Sequence, residues 1–263
     1  MFDHGCERVR AEFLRPIAHR GLHDAAKGRI ENTAPAFEAA IAEGFGIECD
    51  LRPAKDGTPF VFHDATLSRL IDAEGAIASY GPEELSALRY RGQSTRLLTY
   101  AAFLELVSGK VPLLIEIKSD WDAPDQRFLS AIAQLTLAYQ GPIALMSFDP
   151  AVMVAMRSLA PQIPRGIVSG MYEGRDWLPP AIDRERAFRL SHCLEAGDAA
   201  PSFIAYHVND LPTPVMRFAR EVVRLPLFAW TVRTPEQLRL ARQWADAPIF
   251  ENCDPRLPDG SST

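Results

Sequence analysis

The stretch from Gly46 to Asp64, GIECDLRPAKDGTPFVFHD, begins with apolar and charged side chains in alternation. On a β-strand this alternation sends polar and apolar residues to opposite faces, so Glu48 and Asp50 point the same way. Two carboxylates this close repel each other unless a cation lies between them or one takes up a proton. The pair therefore predicts a divalent metal or a basic partner. Taken alone, it is equally compatible with a solvated edge strand.

A turn and a second apolar run follow this strand. Residues 55–58, KDGT, are typical of an Asp-Gly turn. The apolar run at residues 60–62 then leads back to His63 and Asp64. The predicted unit is a strand, a turn and a return, which brings His63 beside the two carboxylates.

Short apolar runs recur along the whole chain and alternate with stretches that mostly have helical spacing. Eight such runs lie near residues 17, 47, 115, 144, 167, 204, 228 and 249. Eight βα units in 263 residues predict a single-domain α/β protein with a closed (β/α)₈ TIM barrel. An open doubly wound sheet is the alternative, but no GxGxxG or GxxxxGK[ST] motif follows the first strand.

Active-site groups of such barrels gather at the carboxyl ends of the strands. Several polar or aromatic residues stand at those ends: His19, Glu48, Asp50, Glu116, Lys118 and Trp230. Glu116 and Lys118 share one strand face, so a plain ion pair is the alternative to a functional role. Trp230 is compatible with core packing and with a wall of the site.

Composition narrows the classes of function. The net charge of −6 and the absence of a basic cluster argue against a nucleic-acid surface and favour a small-molecule partner. No apolar run reaches the roughly 20 residues of a membrane helix, and the N-terminus has no signal-peptide core, so we expect a cytoplasmic protein with no integral membrane segment. The four cysteines have no CxxC spacing, which predicts free thiols. The oligomeric state cannot be read from the sequence.

The order and spacing of six short motifs resemble the glycerophosphodiester phosphodiesterase family. The resemblance implies a TIM barrel of the phospholipase-C-like phosphodiesterase type, a divalent cation and hydrolysis of a phosphodiester. We expect one domain over residues 1–263, with an N-terminal extension at 1–14 and a frayed tail at 255–263. The motifs are HRG at 19–21, ENT at 31–33, IECD with KDG at 47–57, HD at 63–64, IEIK at 115–118 and WTV at 230–232.

The resemblance also implies residue roles. The metal would lie on Glu48, Asp50 and Glu116, the acid/base pair would be His19 and His63, and the substrate would meet Arg20, Lys118 and Trp230. We expect one Mg²⁺ or Ca²⁺, because carboxylate oxygens suit hard ions and no Cys or His cluster favours zinc. Which histidine is the base stays open, as does the choice between a cyclic-phosphate route and direct attack by water.

The implied reaction converts a glycerophosphodiester to sn-glycerol 3-phosphate and an alcohol. A lysophospholipase D-type activity and a catalytically silent phosphodiester-binding barrel are the alternatives.

Some positions depart from the family pattern or receive a minor role. The loop between Gly21 and Glu31 is long, and the segment 250–252, FEN, stands where a Thr-Asp or Thr-Asn pair is usual. We expect both departures to affect the rim of the substrate site. Asn32 or Thr33 is expected to cap the following helix, and Asn32 is interpreted as a cap and not as a ligand. Arg52 is interpreted as a counterion of the acidic cluster. Four histidines are expected to lie outside the chemistry: His4, His23, His192 and His207.

Overall fold

A computed structural model describes residues 4–175 and 182–258. Eight parallel strands close into a barrel, because the first strand pairs with both the second and the last. The predicted TIM barrel and its eight strands are confirmed. Two further strands, β3 and β4, lie outside the barrel. The strands are β1 (Ile17–Ala18), β2 (Gly46–Pro53), β3 (Pro59–Val61), β4 (Leu98–Thr99), β5 (Leu113–Ile117), β6 (Ile143–Ser147), β7 (Arg165–Ser169), β8 (Phe203–His207), β9 (Leu227–Val232) and β10 (Ala247–Phe250).

Helices connect the barrel strands, and polar N-cap residues fix where several of them begin. Asp125, Asp149 and Thr234 each accept a backbone hydrogen bond from the first turn of the helix that follows. The helices predicted from apolar spacing are present. They are α1 (His4–Phe13), α2 (Ala34–Ala42), α3 (Pro82–Ala87), α4 (Tyr100–Val107), α5 (Gln126–Ala138), α6 (Pro150–Leu159), α7 (Arg184–Ser191), α8 (Pro214–Arg217) and α9 (Pro235–Trp244).

The alternation in β2 separates an apolar outer layer from a polar interior. Ile47, Cys49 and Leu51 are buried in the apolar layer that the barrel shares with its helices. Glu48 and Asp50 therefore face into the barrel, as the period of two requires. In β5 the same rule places Glu116 on the inner side, directly opposite Asp50 in the strand register.

The N-terminal helix α1 is part of the folded core. Its residues Val9 and Phe13 are fully buried, in one cluster with Ile17 and Ala247 at the starts of β1 and β10. The predicted extension at 1–14 thus packs against the end of the barrel opposite the polar site, while residues 1–3 lie outside the described residues. Of the predicted tail, residues 255–258 are described, and Arg242 donates to the carbonyls of Pro255 and Leu257. Residues 259–263 lie outside the described residues.

Residues 54–97 form a compact excursion beside the barrel. Strand β3 returns antiparallel along β2 after the predicted Asp-Gly turn, in which Gly57 has a φ of +92° that favours glycine. The excursion has its own buried apolar cluster, which includes Phe60, Phe62 and Tyr90. This packing holds the end of β3 in place, and with it His63, above the mouth of the barrel.

The four cysteines are free thiols, as predicted. No helix within residues 4–175 and 182–258 has both the length and the apolar character needed to cross a membrane.

Candidate active site

Three carboxylates meet inside the carboxyl end of the barrel. Glu48, Asp50 and Glu116 are buried, and one oxygen of each lies within 4.8 Å of the others. We call these three residues the carboxylate cluster. The cluster was predicted from the sequence, and the parallel register of β2 and β5 explains its geometry. Among residues 4–175 and 182–258, the buried Glu48 Oε1 has no hydrogen-bond partner.

Two cations flank the carboxylate cluster. Lys118 Nζ lies 2.8 Å from Asp50 Oδ1 and also pairs with Glu116. Arg20 Nε lies 3.3 Å from Asp50 Oδ2, while its backbone N–H donates to Glu48 Oε2 at 2.9 Å. Arg20 and Lys118, both predicted to meet the substrate, are therefore held at the cluster by charge.

The charges of this cluster are unevenly balanced. Burial and the neighbouring carboxylates Asp50 and Glu116 raise the pKa of Glu48 well above its usual range. Burial also opposes the ionised form of Asp50, but the adjacent Lys118 holds the pKa of Asp50 well below its usual range. Glu48 is thus the carboxylate that most requires a further cation or a proton.

Asn32 has a different place from the predicted one. The N-cap residue of α2 is Thr33, and the Asn32 amide donates to Asp50 Oδ2 at 2.8 Å. Asn32 has a φ of +57°, so its backbone cannot continue into the helix and its side chain turns towards the barrel. The interpretation of Asn32 as a helix cap is wrong, because the buried carboxylate competes for its amide.

The first histidine pairs with a carboxylate from the opposite end of the chain. His19 follows β1 and Glu251 follows β10, two neighbouring strands. The Nδ1–H of His19 donates to Glu251 Oε2 at 2.5 Å, which leaves His19 Nε2 on the side of Glu48, 3.8 Å from its Oε2. Burial lowers the pKa of His19, and the hydrogen bond to Glu251 works against this effect. We call His19 and Glu251 the His19 pair.

The second histidine pairs with its neighbour in sequence. The Nδ1–H of His63 donates to Asp64 Oδ1 at 2.7 Å, and Arg69 Nε donates to Asp64 Oδ2 at 2.5 Å. Arg69 also donates to Glu31, which accepts a further hydrogen bond from Arg20 at 2.7 Å. We call His63 and Asp64 the His63 pair. A chain of ion pairs thus links it to the carboxylate cluster.

Local backbone geometry explains the HRG motif that contains His19. A side chain on Gly21 would approach Phe37 and Ala36 to within about 3.0 Å, and Gly21 has a φ of +78°. Arg20 itself has a φ of +55°. This tight turn points the backbone N–H of Arg20 at Glu48, a contact that an extended backbone would lose.

A cavity of about 830 Å³ opens above the carboxylate cluster. Trp230 forms part of its wall, and the indole N–H donates to the carbonyls of Ser169 and Ala205. Phe148 packs against Trp230 edge to face, with ring centroids 5.2 Å apart. Trp230 therefore both packs against a neighbouring aromatic ring and lines the cavity, so the two interpretations of this residue are compatible. Most of the predicted site residues line the cavity: His19, Arg20, His63, Glu116, Lys118 and Trp230.

Other sequence interpretations are corrected by the geometry. Arg52 pairs with Asp120 at 2.6 Å and donates to the His63 carbonyl, so it is not the counterion of the carboxylate cluster. His207 lines the cavity, and His23 lies 3.3 Å from Glu251 Oε2, so both lie closer to the site than the sequence predicts. Patterns of local spacing could not find the contacts of Arg52 with Asp120 and of His23 with Glu251, because these residues are far apart in the chain.

Comparison with known proteins identifies relatives of this chain. The model of the glycerophosphoryl diester phosphodiesterase family matches residues 19–252. A glycerophosphodiester phosphodiesterase of Caldanaerobacter subterraneus subsp. tengcongensis is 27% identical over 250 residues, which cover 90% of this chain and 93% of that protein.

Solved structures share the fold of this chain. A phosphodiesterase of Oleispira antarctica, solved in complex with the product sn-glycerol-3-phosphate, aligns with a TM-score of 0.68 at 23% identity, over 90% of this chain and 92% of that one. A glycerophosphodiester phosphodiesterase of Thermotoga maritima aligns with a TM-score of 0.67 at 23% identity, over 90% and 93%. At this identity the structural likeness shows a common barrel.

Proposed function

The chain belongs to the glycerophosphoryl diester phosphodiesterase family of phosphoric diester hydrolases, and we propose that it hydrolyses glycerophosphodiesters to sn-glycerol 3-phosphate and an alcohol. The observation that carries this proposal is the convergence, around one cavity, of the carboxylate cluster and two histidines whose Nδ1 atoms are both held by carboxylates. Phosphodiester hydrolysis needs charge neutralisation at phosphorus and two proton transfers, and these groups are suited to both.

The carboxylate cluster suits one hard divalent cation. Its donor atoms are all oxygens, they lie within 4.8 Å of one another, and Glu48 Oε1 lacks a partner among the described residues. Glu48, Asp50 and Glu116 would hold Mg²⁺ or Ca²⁺. When bound, the cation would offset the negative charge that grows on the phosphoryl oxygens.

Arg20 and Lys118 would bind and orient the phosphodiester. Both side chains line the cavity, and their ion pairs with Asp50 hold them in place before substrate arrives. Interactions of this kind are more effective in the transition state than in the ground state, because the negative charge on the equatorial oxygens increases during attack.

His19 and His63 would transfer the protons. With Nδ1 bound to a carboxylate, each imidazole exchanges protons through Nε2, and one ring must start neutral while the other starts protonated. One histidine would take the proton of the attacking hydroxyl or water, and the other would donate a proton to the departing alkoxide. Phosphorus-31 NMR during turnover tests the cyclic route, since detection of a cyclic glycerophosphate would show that the glycerol hydroxyl attacks first.

A substrate panel with and without chelator tests this proposal. We expect glycerophosphocholine to yield glycerol 3-phosphate in the presence of Mg²⁺ or Ca²⁺, and we expect chelation to stop the reaction reversibly. Glu48→Gln should strongly raise the cation concentration that half-maximal activity requires. Glu43→Gln, at an exposed ion pair with Arg256, is the matched control and should leave that concentration unchanged. Full activity after exhaustive chelation would exclude the metal. Preferred turnover of a lysophospholipid would favour lysophospholipase D, and inertness on every diester would favour the silent barrel.

A further inference from the structure

A second group of metal-ligating atoms lies next to the carboxylate cluster. One ligand atom each of His19, His23 and Glu251 lies within 4.8 Å of the others, and we call these residues the histidine cluster. Glu251 Oε2 contacts both His19 Nδ1 and His23 Nε2. Their side chains are 11%, 16% and 11% exposed, so the cluster is sheltered but open to small ions. This cluster was not predicted from the sequence, because its members come from segments far apart in the chain.

We propose that the histidine cluster is an inhibitory Zn²⁺ site. Two imidazole nitrogens and one carboxylate form a ligand set that zinc proteins use, with water in the fourth position. Zinc–ligand bonds of about 2.0–2.2 Å in a tetrahedron place ligand atoms roughly 3.3 Å apart. His23 Nε2 and Glu251 Oε2 are already 3.3 Å apart. The 2.5 Å contact of His19 with Glu251 would lengthen by about 0.8 Å as the metal replaces the shared proton.

The fold fixes each ligand of this cluster. His19 and Glu251 follow β1 and β10 directly, and the His19 N–H donates to the Phe250 carbonyl at 2.9 Å. His23 lies in the long loop after Gly21. Backbone hydrogen bonds fix both of its neighbours, from Leu22 to Ala36 and between Asp24 and Arg29.

Two sequence features depart from the family pattern, the long loop and Glu251. They meet where His23 of the loop contacts Glu251, the carboxylate that also accepts the hydrogen bond from His19.

The charges around the cluster favour weak, reversible binding. Arg233 Nε donates to Glu251 Oε1 at 2.5 Å, so it occupies one carboxylate oxygen and leaves Oε2 to the histidines. Its positive charge, together with that of Arg20 beside His19, opposes a divalent cation. The site should thus respond to changes in zinc concentration and not hold the ion permanently.

Zinc at this position would stop proton transfer by His19. Coordination at Nδ1 requires the neutral ring with its proton on Nε2, the atom that faces Glu48. In that tautomer His19 cannot accept a proton at Nε2, and it has lost the Glu251 contact that stabilises its charged form. The inhibition rests on the proposed function, whereas zinc binding by the cluster does not.

The experiment measures binding and inhibition separately on the full chain. Zn²⁺ is titrated calorimetrically into protein kept in saturating Mg²⁺, for the wild type, His23→Ala and the control His192→Ala. His192 is the C-cap residue of α7, and its Nδ1–H donates a hydrogen bond to the Phe188 carbonyl, so it is a histidine outside the cluster. We expect the wild type and the control to bind one zinc more than His23→Ala. If the alanine variant does not fold, His23→Gln replaces it.

Activity on glycerophosphocholine is then assayed against increasing Zn²⁺ at the same Mg²⁺ concentration. We expect His23→Ala to keep its basal rate and to raise the half-inhibitory zinc concentration by about tenfold or more, the effect of losing roughly 1.4 kcal/mol of binding. An equal number of zinc ions bound by all three proteins would overturn the proposal. Equal zinc inhibition of wild type and His23→Ala would also overturn it, and would place the inhibitory zinc in the carboxylate cluster. A protein inactive on every diester refutes the proposed function, and the calorimetric arm still decides the zinc site.

Discussion

The His19 pair and the His63 pair use the same contact in different surroundings. In each, Nδ1 of the imidazole donates to a carboxylate oxygen, at 2.5 Å for His19 and 2.7 Å for His63. The His19 side chain is 11% exposed and lies in the barrel, whereas His63 is 31% exposed and stands on the excursion beside it. The same histidine–carboxylate contact is therefore built once from a core position and once from a surface loop, in surroundings of different polarity.

The carboxylates of the two pairs are themselves held by arginines. Arg233 holds Glu251, and Arg69 holds Asp64. A charged partner at the outer oxygen orients each carboxylate towards its histidine. Because the interior is less polar than the surface, the same hydrogen bond is worth more in the His19 pair than in the His63 pair.

The largest expected effect comes from removing the rings themselves. His19→Ala and His63→Ala should each lower kcat by about 10²–10⁴, the usual loss of a general acid or base. If the two pairs act in one step, the double variant should be much less than multiplicatively worse. Steady-state kinetics on glycerophosphocholine, with His192→Ala as a control, makes this measurement. Strictly multiplicative losses would show that one histidine only positions substrate.

A smaller loss is expected at Lys118, which lines the same cavity as His19 and His63 and belongs to neither pair. Lys118→Met should lower kcat/KM by about 10²-fold, because a charge-assisted contact to phosphate is lost. It should also lower the Tm of chelated protein, since Asp50 and Glu116 lose their shared counterion, and Mg²⁺ or Ca²⁺ should restore much of that Tm. Lys118→Arg is the charge-preserving control. Unchanged kcat/KM with a lowered Tm would mean that Lys118 is purely structural.

The two pairs also mark the limit of what the sequence could predict. Asp64 adjoins His63 in the chain, so the HD motif contains both members of that pair, although their contact was not predicted. The His19 pair joins residues 232 positions apart, and it forms only because the barrel closes between β1 and β10. Its carboxylate, Glu251, was visible only as a departure from a family pattern.

The carboxylate cluster could be predicted more fully than either pair. Alternation within β2 fixed the common direction of Glu48 and Asp50, and the parallel barrel then required β5 to bring Glu116 beside them. Asn32 and Arg52 were misjudged for the opposite reason. Their partners, Asp50 and Asp120, are set by tertiary contacts that compete with the local capping and charge patterns.

The carboxylates of the two pairs should differ in their effect on turnover. Glu251→Gln should lower kcat by about 10–100-fold, because an amide can hold the wrong tautomer of His19 and cannot balance its charge. Asp64→Asn should cost about tenfold or less, since solvent at His63 replaces part of the lost interaction. In both variants KM should change little. Glu251→Asp should have a higher kcat than Glu251→Gln, because it keeps a carboxylate near His19. Equal losses in kcat would remove the distinction between a core pair and a surface pair.

The smallest expected effect is on stability in acid, and it isolates the His63 pair. Burial opposes the ionised form of Asp64, but hydrogen bonds from His63 and Arg69 hold the pKa of Asp64 below its ordinary value of about 3.9. A carboxylate with a depressed folded-state pKa stabilises the protein above its unfolded-state pKa, and this contribution is lost as the pH falls through the folded-state value.

Asp64→Asn should therefore lower the free energy of unfolding by about 1–2 kcal/mol at pH 6.5, and the difference from wild type should shrink below about pH 4. Urea denaturation at pH 6.5, 4 and 3 measures this trend, and Asp72→Asn, whose side chain is 95% exposed, serves as the control. A difference that stays constant with pH would mean that Asp64 acts through packing, and that its pair with His63 is not held by charge.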